Sequence, residues 1–206
     1  MMHKVIIYGT RDLAELAHFY LTSDSEYEVV AFTVEDGYRD IETFKGLPVL
    51  SWEDITPSDA KLFIPVSDNN VRRRLYTEAK QRSFDFATYI SSRCTNLATS
   101  VGQNCFIFED NTLQPFTTIG NNVILWSGNH IGHHGRIEDN VFFTSHVVMS
   151  GHCTIQDGAF LGVNSAIRDG VTISKNSVIG MGSTVTKDTE ESSIYFGSPA
   201  KWVRYV

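Results

Sequence analysis

The sequence predicts a small α/β domain with a parallel sheet followed by a three-sided parallel β-helix. Three observations carry that expectation. Apolar runs alternate with helical patterns over the first ninety residues; from Val101 onward an apolar residue returns at every sixth position; and turn-forming residues fill the spaces between those returns. The domains are expected at 1–92 and 93–206. A chain of 206 residues with 42% hydrophobic content can bury a core in each.

In order along the chain, Lys4 to Gly9 reads as a strand. Arg11 to Thr22 carries Leu13, Leu16, Ala17 and Tyr20 at helical spacing. Glu28–Thr33 and Lys61–Val66 are apolar runs of strand length, Asn70–Gln81 is a basic amphipathic helix, and Phe86–Ile90 reads as a last strand. The polar segment 91–100 reads as the join between the two parts.

Stepping by six from Val101 gives Ile107, Leu113, Ile119, Leu125, Ile131, Ile137, Phe143, Met149, Ile155, Leu161, Ile167, Ile173, Ile179 and Val185, with no polar residue among them. Chance would produce such a run on the order of a few times in a million. From Val123 onward small or β-branched residues recur four places later, with Asn129 the polar exception. Gly-Asn-Asn, Glu-Asp-Asn, Gln-Asp-Gly and Arg-Asp-Gly lie between. Three hexads close a triangular coil, so residues 18 apart stack at the ordinary strand separation of ~4.8 Å. A right-handed β-helix, a propeller and a sandwich do not predict this period.

The formal charge of −7 and the absence of any basic cluster longer than Arg72-Arg73-Arg74 argue against a nucleic-acid surface. The run Val5-Ile6-Ile7-Tyr8 is broken by Gly9, too short for a signal peptide or a membrane span, so a cytoplasmic location is expected. Cys94, Cys105 and Cys153, odd in number and without CxxC spacing, fit reduced thiols.

Two regions offer chemistry. The turn after the first strand, Tyr8-Gly9-Thr10-Arg11-Asp12, and the turn Val66-Ser67-Asp68-Asn69-Asn70 with Arg72 both fall where an open α/β sheet places a ligand. The first lacks GxGxxG, which argues against a dinucleotide. The bland reading of the second is that Ser67 and Asp68 cap the following helix. Five of the seven histidines, His130, His133, His134, His146 and His152, fall within 23 residues of the repeats. His133 and His134 follow Ile131 by two and three places, which puts them at a corner facing outward. A neutral imidazole there could act as general base for attack on a thioester, with a backbone N–H holding the oxyanion. His134 and His152, 18 apart, also invite a metal reading. For any single histidine, solvated decoration is the commoner account; the cluster points to a site.

Residues 101–206, with the ending Tyr195-Phe196-Gly197-Ser198-Pro199-Ala200-Lys201, resemble the hexapeptide acyltransferases. With the α/β domain in front, nearly the whole chain is similar to the bacterial sugar acetyltransferases of the sialic-acid O-acetyltransferase and bacillosamine N-acetyltransferase group. That resemblance implies a left-handed β-helix, a homotrimer, and coenzyme A in the groove between two prisms. The family's catalytic histidine falls on His133 in Ile131-Gly132-His133-His134. In many relatives an Asp or Glu follows it and orients the ring; here His134 follows, and Glu138 or Asp139 could serve from nearby. The implied coenzyme contacts are Gly151, Val163, Gly180, Gly182, Ser198, Pro199 and Lys201, with Lys187 or Lys201 meeting the phosphates. The implied nucleotide pocket maps to Gly9, Thr10, Arg11, Glu35, Asp36, Ser67 and Asp68, and here the turn after strand one is less glycine-rich than in relatives, which usually have Gly where Ser67 stands.

The function implied is transfer of an acetyl group from acetyl-CoA to an amino or hydroxyl group of a nucleotide-linked sugar, by direct attack with His133 as base and no metal. A zinc hydro-lyase of the γ-carbonic anhydrase type is the competing reading. The N-terminal domain and the Gly-x-Pro-Ala-Lys ending stand against it. A non-catalytic scaffold is the third. A sugar nucleotidyltransferase is excluded, because ninety residues without a glycine-rich phosphate loop cannot make its catalytic domain.

Overall fold

Val5, Ile6, Ile7 and Tyr8 are buried on both faces of strand β1 (His3–Tyr8), which is what a central parallel strand requires. The computed structural model describes residues 3–58 and 60–206 and divides into two units, Met1–Tyr89 and Ile90–Val206. In the first unit β1 is followed by helix α1 (Asp12–Ser23), β2 (Tyr27–Val34), a hairpin of β3 (Thr43–Phe44) and β4 (Leu47–Ser51), β5 (Lys61–Phe63) and helix α2 (Asn69–Gln81). The sheet order is β3-β4-β2-β1-β5, parallel except for the hairpin. The chain therefore leaves β1 towards β2 and returns on its other side as β5, a topological switch point between β1 and β5.

Two local differences from the sequence reading have plain causes. The strand expected at 61–66 ends at Phe63, because Pro65 has no N–H to continue the ladder. The β3–β4 hairpin was not expected. Its turn, Lys45-Gly46 with φ of 51° and 80°, is the primed type that matches strand twist.

In the second unit the apolar residues at the hexad starts from Ile107 to Val185 are all 0–3% exposed and form one continuous core. Each contributes about 1.5–3 kcal/mol through burial. Rungs 18 residues apart pair in parallel on three faces, for example Leu113 with Ile131, Ile119 with Ile137, and Leu125 with Phe143. The segment 91–100 belongs to this unit as its first coil, with strands Thr95–Asn96 and Ser100–Val101, and is no mere join. Thr95 pairs with Thr112, 17 residues on, so the first coil is one residue short and the six-residue count cannot reach back through it.

The corners explain the period more fully than the apolar residues do. Every sixth residue from Asn104 to Gly182 has φ between 53° and 76°, the left-handed region. Five of these fourteen are Asn, four Gly and one Asp, the types that adopt this conformation most readily. His134, His146 and His152 occupy three more. Three of the five clustered histidines thus sit where the backbone itself favours short polar side chains and histidine.

Buried amides lock the register. Asn104 Nδ2 donates to Asn122 Oδ1 (2.7 Å), Asn122 Nδ2 to Asn140 Oδ1 (2.7 Å), and Asn140 Nδ2 to Asp157 Oδ1 (2.6 Å). Asn111 and Asn129 are the two amides among the small positions; Asn129 N–H donates to Asn111 Oδ1 (3.2 Å), and the Asn129 side chain donates to Trp126 O and accepts from Val147 N–H at 2.8 Å. Ser165 is wholly buried 18 residues after Val147, and its hydroxyl has no hydrogen-bond partner. Ser165→Ala is accordingly expected to raise stability by about 1 kcal/mol, read as a higher urea midpoint at unchanged m-value; a lowered midpoint would contradict the orphaned hydroxyl.

The final strands, Ser193–Phe196 and Lys201–Tyr205, form an antiparallel hairpin on the last rung of one face. Among the described residues no helix is long and apolar enough to cross a membrane.

Candidate active site

One corner of the prism gathers the reactive groups. The strand His130–Ile131 runs into Gly132, His133 and His134, and the strand Val148–Met149 one coil later runs into Ser150, Gly151 and His152. His133 N–H donates to Gln114 Oε1 (2.8 Å), and His133 O accepts from His152 N–H (3.0 Å), so the backbone beneath both rings is fixed. The rings of His133, His134 and His152 are exposed.

Phe116, His134 and His152, at the same left-handed corner of three successive coils, form a column with centroids 4.7 and 4.8 Å apart, the first pair tilted and the second stacked. His133 stands perpendicular to His134 and to His152, at 5.3 and 5.1 Å. Its Nδ1 lies 3.0 Å from His134 Nδ1, a hydrogen-bond distance that requires one proton between the two nitrogens. That leaves the Nε2 edge of His133 directed over Gly151. A Cβ on Gly151 would lie 2.7 Å from His133 Cε1, 2.9 Å from Nε2 and 3.0 Å from Asp169 Oδ1. The glycine makes room for the imidazole, a role the sequence reading did not give it.

Glu138 and Asp139 do not orient this ring. They lie after the strand Arg136–Ile137, at the next corner. Glu138 accepts from Asp157 N–H (3.2 Å) and pairs with Arg136 (3.5 Å), while Asp139 accepts from Asn121 N–H (2.7 Å). Both carboxylates line a cavity of about 460 Å³ with Thr118, Gly120 and Asp157. Both carboxylates are thus engaged at another corner, and His134 is the residue whose ring nitrogen lies within hydrogen-bond distance of His133 Nδ1.

The implied coenzyme residues fall in three places. Gly151 lies at the histidine corner. Val163 and Gly182 lie at another, where Gly182 N–H donates to Val163 O (2.7 Å), and Gly180, just before it, lies under the Phe196 ring with no room for a side chain. Ser198 and Pro199 form the turn of the terminal hairpin, and Lys201 starts its second strand; Ser198 Oγ and Thr184 Oγ1 are 3.1 Å apart. Lys187 follows the last short strand, Thr184–Val185, and is exposed. The thiols offer no nucleophile: burial pushes Cys94 up to about 11 and raises Cys153, and Cys105 donates to Gly120 O.

In the first unit the candidate residues lie at the carboxyl ends of the parallel strands. Gly9 takes φ +106°, and Arg11 precedes α1 without a side-chain cap, its guanidinium reaching Asp40 at 3.7 Å. Thr10 is half-buried between them. Glu35, just past β2, is already engaged. Tyr8 hydroxyl donates to it (3.0 Å) and Arg74 grips both its oxygens (2.9 and 3.0 Å), holding its carboxyl below the usual range. This pairing favours folding above the ordinary carboxylate pKa and is lost as pH falls through the lowered one. Asp36 opens a short 3-10 turn and is exposed. Asp68 caps α2 through Asn70 N–H (2.8 Å) and Val71 N–H (3.0 Å), the bland reading of that turn. Arg72 does not face a crevice: it is fully buried and donates to Val66 O (2.7 Å), Ser67 O and Asn69 Oδ1.

Residues 153–187 match a family described as the hexapeptide repeat of succinyl-transferase. No curated protein matches the sequence. Solved structures match over nearly the full length. The acetyltransferase domain of PglB from Neisseria gonorrhoeae is 18% identical with a TM-score of 0.87, covering 98% of this chain and 100% of that one. Perosamine N-acetyltransferase from Caulobacter crescentus, solved with CoA and GDP-perosamine, is 20% identical with a TM-score of 0.86, covering 98% of each. WeeI from Acinetobacter baumannii is 23% identical with a TM-score of 0.83, covering 97% and 100%. The chain shares the two-part fold of these proteins.

Proposed function

We propose that this protein is an acetyl-CoA-dependent sugar N- or O-acetyltransferase acting on a nucleotide-linked sugar. The observation that carries the reading is the His133 imidazole, lying above Gly151 with Nδ1 against His134, on a fold shared with a perosamine N-acetyltransferase solved with CoA and GDP-perosamine. With the shared proton on His133 Nδ1 and His134 Nδ1 accepting, His133 Nε2 carries a lone pair. The sugar amine or hydroxyl attacks the thioester carbonyl, and Nε2 takes the proton that leaves the nucleophile. The tetrahedral oxyanion forms against Gly151 N–H, for which the described residues offer no acceptor. Collapse breaks the C–S bond, and the imidazolium returns the proton to the departing thiolate. His134 stands where a carboxylate would otherwise orient the ring, and does so as a neutral acceptor.

Coenzyme A contacts are assigned to Gly151, Val163, Gly180, Gly182, Lys187, Ser198, Pro199 and Lys201, in a cytoplasmic homotrimer whose neighbouring prisms form the groove. The nucleotide is assigned to the switch point of the first unit, around Gly9, Thr10, Arg11, Asp36 and Ser67. Glu35 and Asp68 shape that site through Arg74 and the α2 terminus.

The test is release of coenzyme A thiol from acetyl-CoA in the presence of a panel of nucleotide-linked amino and hydroxy sugars, with sedimentation equilibrium on the same sample. Acceptor-dependent release by a trimer supports the reading. Absence of micromolar acetyl-CoA binding, about −8 kcal/mol, would refute it, and a stable monomer would remove the inter-subunit groove.

A further inference from the structure

The 3.0 Å gap between His133 Nδ1 and His134 Nδ1 suits two occupants. A proton fits as N–H···N. A divalent transition-metal ion fits as well, since two nitrogens bound at about 2.0–2.1 Å in a tetrahedral centre lie roughly 3.3 Å apart. His152 supplies a third nitrogen, and the three donor atoms lie within 4.8 Å of one another. Because all three rings are exposed, drawing them to coordination distance needs side-chain rotation only. The backbone that aims them is already fixed: His134 and His152 share φ of 57° on successive coils, and His152 N–H is bonded to His133 O. Phe116 covers one side of His134, and the outer side stays open for water. Three imidazoles with an open position suit Zn²⁺, Co²⁺, Ni²⁺ or Cu²⁺, whereas Mg²⁺ and Ca²⁺ want oxygen donors.

We propose that this corner captures a zinc-class divalent ion, and that the ion acts as a reversible inhibitor of the histidine base and not as a cofactor. The reason lies in the tautomer. An ion on His133 Nδ1 forces the ring proton onto Nε2, so the nitrogen facing the substrate has no lone pair with which to accept a proton. Capture displaces the proton shared by the two histidines. The inhibitory part rests on the reading of His133 as the base; the site itself does not.

The experiment is calorimetric titration of the chelator-stripped, full-length protein with zinc chloride, repeated with cobalt chloride while following visible absorption. His152→Asn, which keeps a residue suited to the left-handed corner, is run alongside. One ion per chain, bound with release of about one proton and ~10-fold or more weaker in the variant, is the expected result. In the acetyl-transfer assay zinc should inhibit without competing with acetyl-CoA, chelator should restore the rate, and the zinc concentration needed to halve the rate should rise ~10-fold or more in His152→Asn relative to that variant's own zinc-free rate. No binding at about a hundredfold above a micromolar Kd, or equal binding by the variant, overturns the site. Binding without inhibition overturns the tautomer lock. A protein that takes up zinc in this way but acetylates no acceptor leaves the site standing and removes the proposed transferase reading, so the two failures are distinguishable.

Discussion

Replacing His133 by Gln is expected to lower kcat for acetyl transfer by about 10²–10⁴ while leaving thermal stability and acetyl-CoA affinity unchanged. The side chain is exposed, and what it contributes to folding passes through its backbone: N–H to Gln114 and O to His152. Gln preserves those bonds and offers polar atoms of similar reach. It has no group that titrates between neutrality and mild acid, so the proton leaving the attacking nucleophile has no acceptor. Loss in kcat with KM for acetyl-CoA intact would mark an interaction made only in the transition state. Near-normal turnover would show that another group takes the proton, and Asp169, beside the same glycine, would become the first alternative to test.

Gly151→Ala is expected to cost ~10–10² in kcat, because a displacement approaching 1 Å at a general base is worth that much. The new Cβ would meet the tips of His133 and Asp169 at 2.7–3.0 Å. Both are free ends of exposed side chains, so they swing away and the coil survives; unfolding curves should superimpose on those of the parent. The decisive form is a double-mutant cycle. In a His133→Gln background the same alanine should cost little further, since the ring it displaces is gone. Additive losses would mean that Gly151 acts through something other than the imidazole.

How much of this was legible beforehand depends on what kind of physics fixed each feature. The prism was legible from Ile107 to Val185 because inward burial leaves a strictly periodic trace. The first coil was hidden by a single missing residue between Thr95 and Thr112. His133 was reached by resemblance, and its outward placement by counting from Ile131; its setting over Gly151 was not reachable, because contact between residues 18 apart at a corner depends on ring orientation. The carboxylate sought in Glu138 or Asp139 was misplaced, since a step of five or six residues in this fold moves to the next corner. A clue went unused: Asn104, Asn122, Gly128, Asn140, Gly158 and Asn164 share one phase of the period with His134, His146 and His152. Reading that phase would have separated histidines placed by backbone preference from His133, which is not in it. In the first unit, Asp68 serves local structure as a cap, as short polar residues at helix starts often do, and the buried Arg72 guanidinium holds the turn before the helix through Val66 O and Asn69 Oδ1.

The Ser193–Tyr205 hairpin gives one face of the prism an outer edge that resists further pairing. A stack of parallel rungs ends in unpaired N–H and C=O groups, which form a template for another molecule. Here Ser193–Phe196 occupies the rung beside Val178–Ile179, and Lys201–Tyr205 then reverses direction and presents Lys201 and Arg204 along the outer edge. An incoming parallel rung finds the wrong polarity and positive charge. A chain cut before Ser193 would expose Val178–Ile179 instead, and such molecules would be expected to add end to end into fibrils rather than remain discrete.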